Sequence, residues 1–228
     1  MTVSDAREGK VTIGVMARAP VLGRCKTRLA ATLGDEAATR LYEAMLGDSL
    51  DLFARVGATR LVIMTAPEDD GVAIMTRLAP PGWEVVAQAG PALGERLAHA
   101  FRTLGAGSDA VLLVDSDSPT VRPEPVAEAV MRFRGPRKAL MGPCDDGGYY
   151  LIGLTSLELG ILDGIAWSTP QVAAQTRARC EVLGLALEEL PAAFDVDRAT
   201  DLARLRDELT AHPSRAPRTA RALGLEGA

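Results

Sequence analysis

The sequence predicts an α/β protein: a Rossmann-like, mostly parallel sheet flanked by helices on both faces. Three observations carry that prediction. Short Val/Ile/Leu-rich runs alternate along the chain with segments of helical periodicity. The most apolar run, Ala110–Val114, holds no polar residue and reads as a strand buried on both faces. Charged or Gly/Pro-containing loops follow two of the strands directly, where open parallel sheets bind their ligands.

In chain order, Val11–Ala17 reads as a first buried strand. Asp35 is placed to cap a helix on which Leu41, Met45, Leu52, Phe53 and Val56 recur at near-helical spacing. Leu61–Met64 and Trp83–Val86 read as strands, and Gly94–Leu104 as a helix with Leu97 and Phe101 on one face. After Ala110–Val114, Pro123 and Pro125 open a helix to about Arg134, since proline suits a first turn. Lys138–Met141 and Tyr149–Ile152 are further strands, Pro170–Leu183 a helix, and Ala199–Leu209 a last helix. Residues 1–10 are expected to be a disordered N-terminal segment, 11–210 a single GT-A-like nucleotide-binding transferase domain, and 211–228 a tail, either a frayed end or a loose packing arm.

Composition narrows the function. At 228 residues with 47% hydrophobic content the chain can bury a sizeable core. A net charge of −5 argues against nucleic acid or an anionic membrane as partner, so any nucleotide is met as a small molecule. The three cysteines, Cys25, Cys144 and Cys180, are too widely spaced for a disulfide framework or a zinc site. No stretch approaches the ~20 apolar residues of a membrane span, and the polar Met1–Lys10 lacks a signal-peptide core. The expected compartment is the cytoplasm, and a homodimer is compatible with the sequence.

Four constellations point to chemistry. Ala19-Pro20-Val21-Leu22-Gly23-Arg24-Cys25-Lys26-Thr27-Arg28-Leu29 follows the first strand. Pro20 and Gly23 shape a turn, Gly23 lets backbone approach an anion, and Lys26, Thr27 and Arg28 offer donors to phosphate. It is not a Walker A loop, because only Arg24 and Cys25 separate Gly23 from Lys26. Asp115-Ser116-Asp117 ends the central strand, and two carboxylates leaving a buried strand call for a compensating cation such as Mg²⁺ or Mn²⁺. A second acidic pair, Asp195 and Asp197, precedes the last helix, where Asp197 is equally suited to capping. Asp145-Asp146-Gly147-Gly148-Tyr149-Tyr150 permits a sharp turn between strands, and Asp145 or Asp146 can accept from a hydroxyl or act as a base, Asp146 being the candidate for an inverting sugar transfer. Histidine occurs only at His99 and His212, which disfavours a Ser-His-Asp or Cys-His catalyst. G-x-G-x-x-G and H-E-x-x-H motifs are absent.

Taken together, A-x-A-P-V-x-G-x-x-K-T-R-L, L-G-E-R-L-x-x-A-F at Leu93–Phe101, S-D-S-P-T at Ser116–Thr120 and D-G-G-Y-Y-L-I-G at Asp146–Gly153 resemble the DUF2064 family. Its members are also called radical-SAM/selenodomain-associated transferases, of the glycosyltransferase-A or nucleotide-diphospho-sugar transferase fold. The resemblance covers about residues 11 to 210, and K-T-R-L is similar to the guanylyltransferases acting on phospholactate or phosphoenolpyruvate. It implies that Lys26 and Arg28 face nucleotide phosphates and that Gly94, Glu95, Arg96 and Ser116 contribute to substrate binding. Asp117 and Asp197 would hold a divalent metal with Asp115 beside them, and Asp146, Gly147, Gly148 and Tyr149 would line the acceptor side. Three positions depart from the family pattern: Asp115 stands where glycine is usual, Arg198-Ala199 replaces Thr-Pro, and Gly90-Pro91-Ala92 replaces Gly-Gly-Asp. The expected activity is sugar transfer from a nucleoside-diphosphate sugar to a small acceptor. The alternatives are nucleotidyl transfer from a nucleoside triphosphate with pyrophosphate release and, further back, a catalytically silent nucleotide-binding protein.

Overall fold

The computed structural model describes residues 9–66 and 70–225. A seven-stranded sheet is built from β1 (Val11–Ala17), β2 (Arg60–Thr65), β3 (Trp83–Ala87), β4 (Ala110–Val114), β5 (Lys138–Pro143), β6 (Tyr149–Leu154) and β7 (Ala186–Glu189). Their order is β3-β2-β1-β4-β6-β5-β7. β6 runs antiparallel to both β4 and β5, and the other pairings are parallel. The carboxyl ends of every strand but β6 therefore open on one edge of the sheet.

Both faces of the sheet are covered. Ile13, Val15, Leu112 and Val114 pack on one side with Leu50, Phe53, Met75, Val126 and Phe133. Those partners come from α2 (Asp35–Phe53), α3 (Gly71–Leu78), α5 (Pro123–Arg132) and the residue after α5. Val62, Val111 and Leu113 pack on the other with Phe101 and Leu104 of α4 (Leu93–Gly105) and Ala173 and Cys180 of α6 (Val172–Leu183). Alternate residues of β4 thus enter opposite cores, which is why Ala110–Val114 has no polar position. Gly14 lets α4 lie against β1: a Cβ there would stand 2.5 Å from Leu104 Cδ1.

A third cluster sits beside the sheet, where Leu29, Leu41, Met45, Leu205 and Leu209 join α2 to α1 (Thr27–Leu33) and α7 (Ala199–Ala211). Two expectations change here. The Lys26-Thr27-Arg28 run is not all loop, because Thr27 opens α1, and at α2 Gly34 rather than Asp35 holds the cap position. The chain beyond residue 210 is also ordered as far as Leu225: Pro217–Ala222 forms α8, which packs on α2 with Thr219 and Ala220 buried. The reason is a long-range cap. The buried Asp48 carboxylate of α2 accepts from Arg218 N (3.1 Å), Thr219 N (2.8 Å) and Thr219 Oγ1 (2.7 Å). Burial pushes the Asp48 acid up, and these three donors oppose the rise.

At the other end, Lys10 N donates to Asp109 Oδ2 at 2.7 Å and leads into the sheet. Residues 1–8 of the expected N-terminal segment lie outside the described residues. No helix among the described residues is long and apolar enough to cross a membrane.

Candidate functional site

The turn after β1 brings Lys26 to the acids at the end of β4. Lys26 adopts a left-handed backbone (φ 48°), a conformation that costs an L-residue of order 1–3 kcal/mol and that clusters at functional sites. Its side chain, only 5% exposed, sets Nζ 2.9 Å from Asp117 Oδ1 and donates to the Val196 carbonyl at 2.7 Å. The Tyr42 ring lies beneath, 5.8 Å from the ammonium. Tyr42 is itself fixed by the Arg18 backbone, donating to Arg18 O (3.1 Å) and accepting from Arg18 N (3.0 Å), with Ser116 Oγ 3.1 Å away. Arg28, in the first turn of α1, pairs with Asp197 at 2.5 Å.

The segment after β7 is threaded between the other two acidic units. Val196 N donates to Asp117 O (2.9 Å), while Asp145 N donates to Ala193 O (3.0 Å). This brings Asp195 into the turn after β5, where Cys144, Asp146 and Asp195 offer ligand atoms within 4.8 Å of one another. The electrostatics record the crowding. Burial first, and then the charge of Asp146, raise the Asp195 acid. Burial and then Asp117 raise Asp115, whose carboxylate accepts from Ser118 Oγ at 2.8 Å behind the site. Burial, with Asp115, Asp195 and Asp146 around it, keeps the Cys144 thiol protonated.

Two clefts meet at these acids. The first, of about 760 Å³, is lined by the cations Arg18, Arg24, Lys26, Arg28 and Arg96, with Ser116, Gln88 and Tyr42 on its floor. The second, of about 660 Å³, is lined by Asp146, Gly148, Tyr149, Asp195 and Arg198, with Trp167, Ser168 and Thr169 opposite. Arg28, Leu93, Asp117 and Asp197 belong to both. Asp117 and Asp197 therefore stand on the seam between a cationic cleft and a mixed one.

Among residues expected from sequence, Lys26, Thr27, Arg28, Arg96, Ser116, Asp117 and Asp197 line the first cleft; Asp146, Gly148 and Tyr149 line the second. Others build the walls without lining either cleft. Gly23 supplies φ +72° in the turn that Pro20 enters. Glu95 accepts the Ala92 N–H at 2.8 Å and starts α4, and Arg96 is held by Gly90 O at 3.0 Å. Gly94 makes room for Trp167, whose Nε1 would be 2.5 Å from a Cβ. Gly147 (φ +88°) presses on Pro170, and its carbonyl accepts from Ala173 N at 2.9 Å. Sequence reasoning did not place Arg18, Tyr42, Gln88, Cys144 or the Trp167–Thr169 wall at the site. Ser168 has φ +63°, which no residue type there announces. Asp195 was legible as one half of an acidic pair, but its meeting with Asp146 was not.

A sheet of this order, with a cationic turn and acids converging at its carboxyl edge, defines a transferase of the nucleotide-diphospho-sugar transferase class. The chain belongs to the family described as "uncharacterized protein conserved in bacteria (DUF2064)", whose model matches residues 49–169. It is 33% identical over 190 residues to the 3-phospho-D-glycerate guanylyltransferase of Phenylobacterium zucineum (strain HLK1), covering 77% of this chain and 81% of that protein. It is 27% identical over 139 residues to the phosphoenolpyruvate guanylyltransferase of Mycobacterium marinum (strain ATCC BAA-535 / M), covering 59% of this chain and 63% of that one. A crystal structure from Desulfovibrio desulfuricans G20, provisionally described as a nucleotide-diphospho-sugar transferase, superposes with TM-score 0.84 at 30% identity, over 95% and 96% of the two chains.

Proposed function

We propose that this protein is a nucleotidyltransferase that joins the nucleoside monophosphate part of a triphosphate to a small phosphorylated carboxylic acid. The observation that carries the reading is the Lys26–Asp117 pair on the seam between the two clefts. Five cations around the first cleft suit a triphosphate better than the less charged diphosphate of a nucleotide sugar. The names of the two relatives favour the same reaction, so the order in which the sequence ranked sugar and nucleotidyl transfer is reversed.

In the reaction, an oxygen of the acceptor phosphate attacks the α-phosphorus, the bond from that phosphorus to the β-phosphate oxygen breaks, and pyrophosphate leaves. Such an acceptor is already ionised near neutral pH, since its second pKa is about 6. Asp146 is then not needed as a base. Its Oδ1 accepts the Gly148 N–H at 2.8 Å and holds the turn that walls the acceptor cleft. Lys26 and Arg28 stabilise charge developing on phosphate oxygens.

The donor set fits a hard divalent cation. Asp146 and Asp195 offer carboxylate oxygens within 4.8 Å of each other, Asp117 and Asp197 stand at the seam of the same cleft, and the soft Cys144 thiol beside them is a poor competitor for it. Mg²⁺ or Mn²⁺ held among these acids would neutralise the triphosphate and offset the burial and the Asp146 charge that raise the Asp195 acid.

The test is to incubate the protein with Mg²⁺ or Mn²⁺, single nucleoside triphosphates, and 3-phosphoglycerate or phosphoenolpyruvate, and to assay pyrophosphate. Acceptor-dependent pyrophosphate release with a dinucleotide-like anhydride product is expected. Nucleoside diphosphate released from nucleotide sugars, with no pyrophosphate from triphosphates, would overturn the reading. Arg198 gives a second prediction. Its guanidinium lines the acceptor cleft and forms no ion pair among the described residues. Charge-assisted hydrogen bonds are worth about 1.5–3 kcal/mol, so Arg198→Met should raise the acceptor KM at least about tenfold with kcat little changed. An unchanged KM would remove Arg198 from acceptor binding.

A further inference from the structure

On the flank of the site, away from both clefts, a cavity of about 260 Å³ gathers three arginines, Arg122, Arg204 and Arg215, around Thr120, Phe194 and Glu208. Arg204 stacks on Phe194, 4.0 Å from the ring centroid, and pairs with Asp145 at 2.6 Å. Arg215 pairs with Glu208. Arg122 pairs with no carboxylate among the described residues, so even with Asp145 counted the group keeps one uncompensated positive charge. That is an unusual wall for a chain of net charge −5.

We infer that this cavity is a second anion site, for a compact phosphoryl group separate from the reacting nucleotide. Its volume of about 260 Å³ falls below the ~300 Å³ at which drug-sized pockets begin and suits an ion of a few heavy atoms. Arginine forks match phosphate oxygens, and Thr120 Oγ1 adds a hydroxyl at the inner wall. The site has a route to the acids. Phe194 directly precedes Asp195, and Arg204 clamps Asp145, directly before Asp146. An anion bound there fixes Arg204 against Phe194 and so stiffens the two stretches of chain that carry Asp146 and Asp195 of the second cleft.

The experiment uses inorganic orthophosphate as probe and the full chain. Lys26→Met weakens phosphate capture in the first cleft, and calorimetry on that variant should still find one orthophosphate site at millimolar concentration. Adding Arg122→Glu, an exposed substitution outside the reaction machinery, should weaken that site at least about tenfold, the loss of one charge-assisted contact. In the wild type, hydrogen exchange should show phosphate protecting 144–147 and 193–196, and Arg122→Glu should abolish the protection. No binding to Lys26→Met, binding indifferent to Arg122→Glu, or protection confined to the turn after β1 would each overturn the assignment. None of these readouts depends on which group the enzyme transfers.

Discussion

Lys26→Met is expected to lower kcat/KM for pyrophosphate release by about 10³, with nucleotide affinity falling in parallel. The magnitude follows from what one preorganised donor contributes to a transition state, about 10²–10³, plus a share of ground-state phosphate binding. The arginines of the cleft do not take over its position, because Lys26 reaches Asp117 from a buried site with its side chain 5% exposed. Removing it also leaves Asp117 facing Asp115 and Asp195 without its own cation. Breaking a fully buried pair costs about 3–5 kcal/mol; Asp117 is 39% exposed, so water offsets much of that and a loss of about 1–2 kcal/mol is expected. Lys26→Arg should not rescue activity. A planar fork differs from a compact ammonium that touches both Asp117 Oδ1 and the Val196 carbonyl. Steady-state pyrophosphate assays and urea unfolding of both variants read these effects. Activity of Lys26→Met within tenfold of wild type would remove Lys26 from the phosphate site.

The same pair illustrates what sequence could and could not disclose. Ala110–Val114 announces a strand buried on both faces, and with it the class of fold, because five apolar residues running straight into Asp-Ser-Asp are too short for a helix and too apolar for an exposed strand. Asp117 and Lys26 are legible, and so is their place in one site, since both lie in segments that leave the carboxyl ends of strands. Their 2.9 Å contact is not, because it depends on the order of β1 and β4 in the sheet. α1 escapes notice because its seven residues are too few to show a periodicity. β7 does because Ala186–Glu189 is a short edge strand with two acids. α8 reads as a tail from its prolines and arginines, and only the Asp48 carboxylate, 170 residues upstream of Arg218, explains why it is ordered. Long-range capping leaves no local trace. The Ser168–Thr169 wall is hidden for the same reason: what fixes it is a glycine in a different loop.

That glycine yields the largest expected effect on stability. Gly147 has φ +88°, and a Cβ there would lie 2.1 Å from the Pro170 carbonyl oxygen and 2.6 Å from its carbon. The obstacle is backbone, so no rotamer change relieves it. The left-handed conformation alone costs an L-residue roughly 1–2 kcal/mol, and separating the turn from the Pro170 loop strains the Ala173 N–H to Gly147 O bond as well. Gly147→Ala should therefore cost about 3–5 kcal/mol, a large part of the 5–15 kcal/mol typical of a folded domain. Gly57→Ala is the matched control. Its φ of +84° carries the same conformational penalty, yet nothing stands within 4 Å of its Cβ, so about 1–2 kcal/mol is expected. The difference between the two variants in urea unfolding isolates the clash. Functionally, Gly147→Ala should raise the acceptor KM, because Ser168 and Thr169 move with Pro170, while nucleotide affinity in the first cleft stays near wild type. Equal destabilisation by the two substitutions would show that the Pro170 loop yields freely, and that the acceptor wall is not held by this contact.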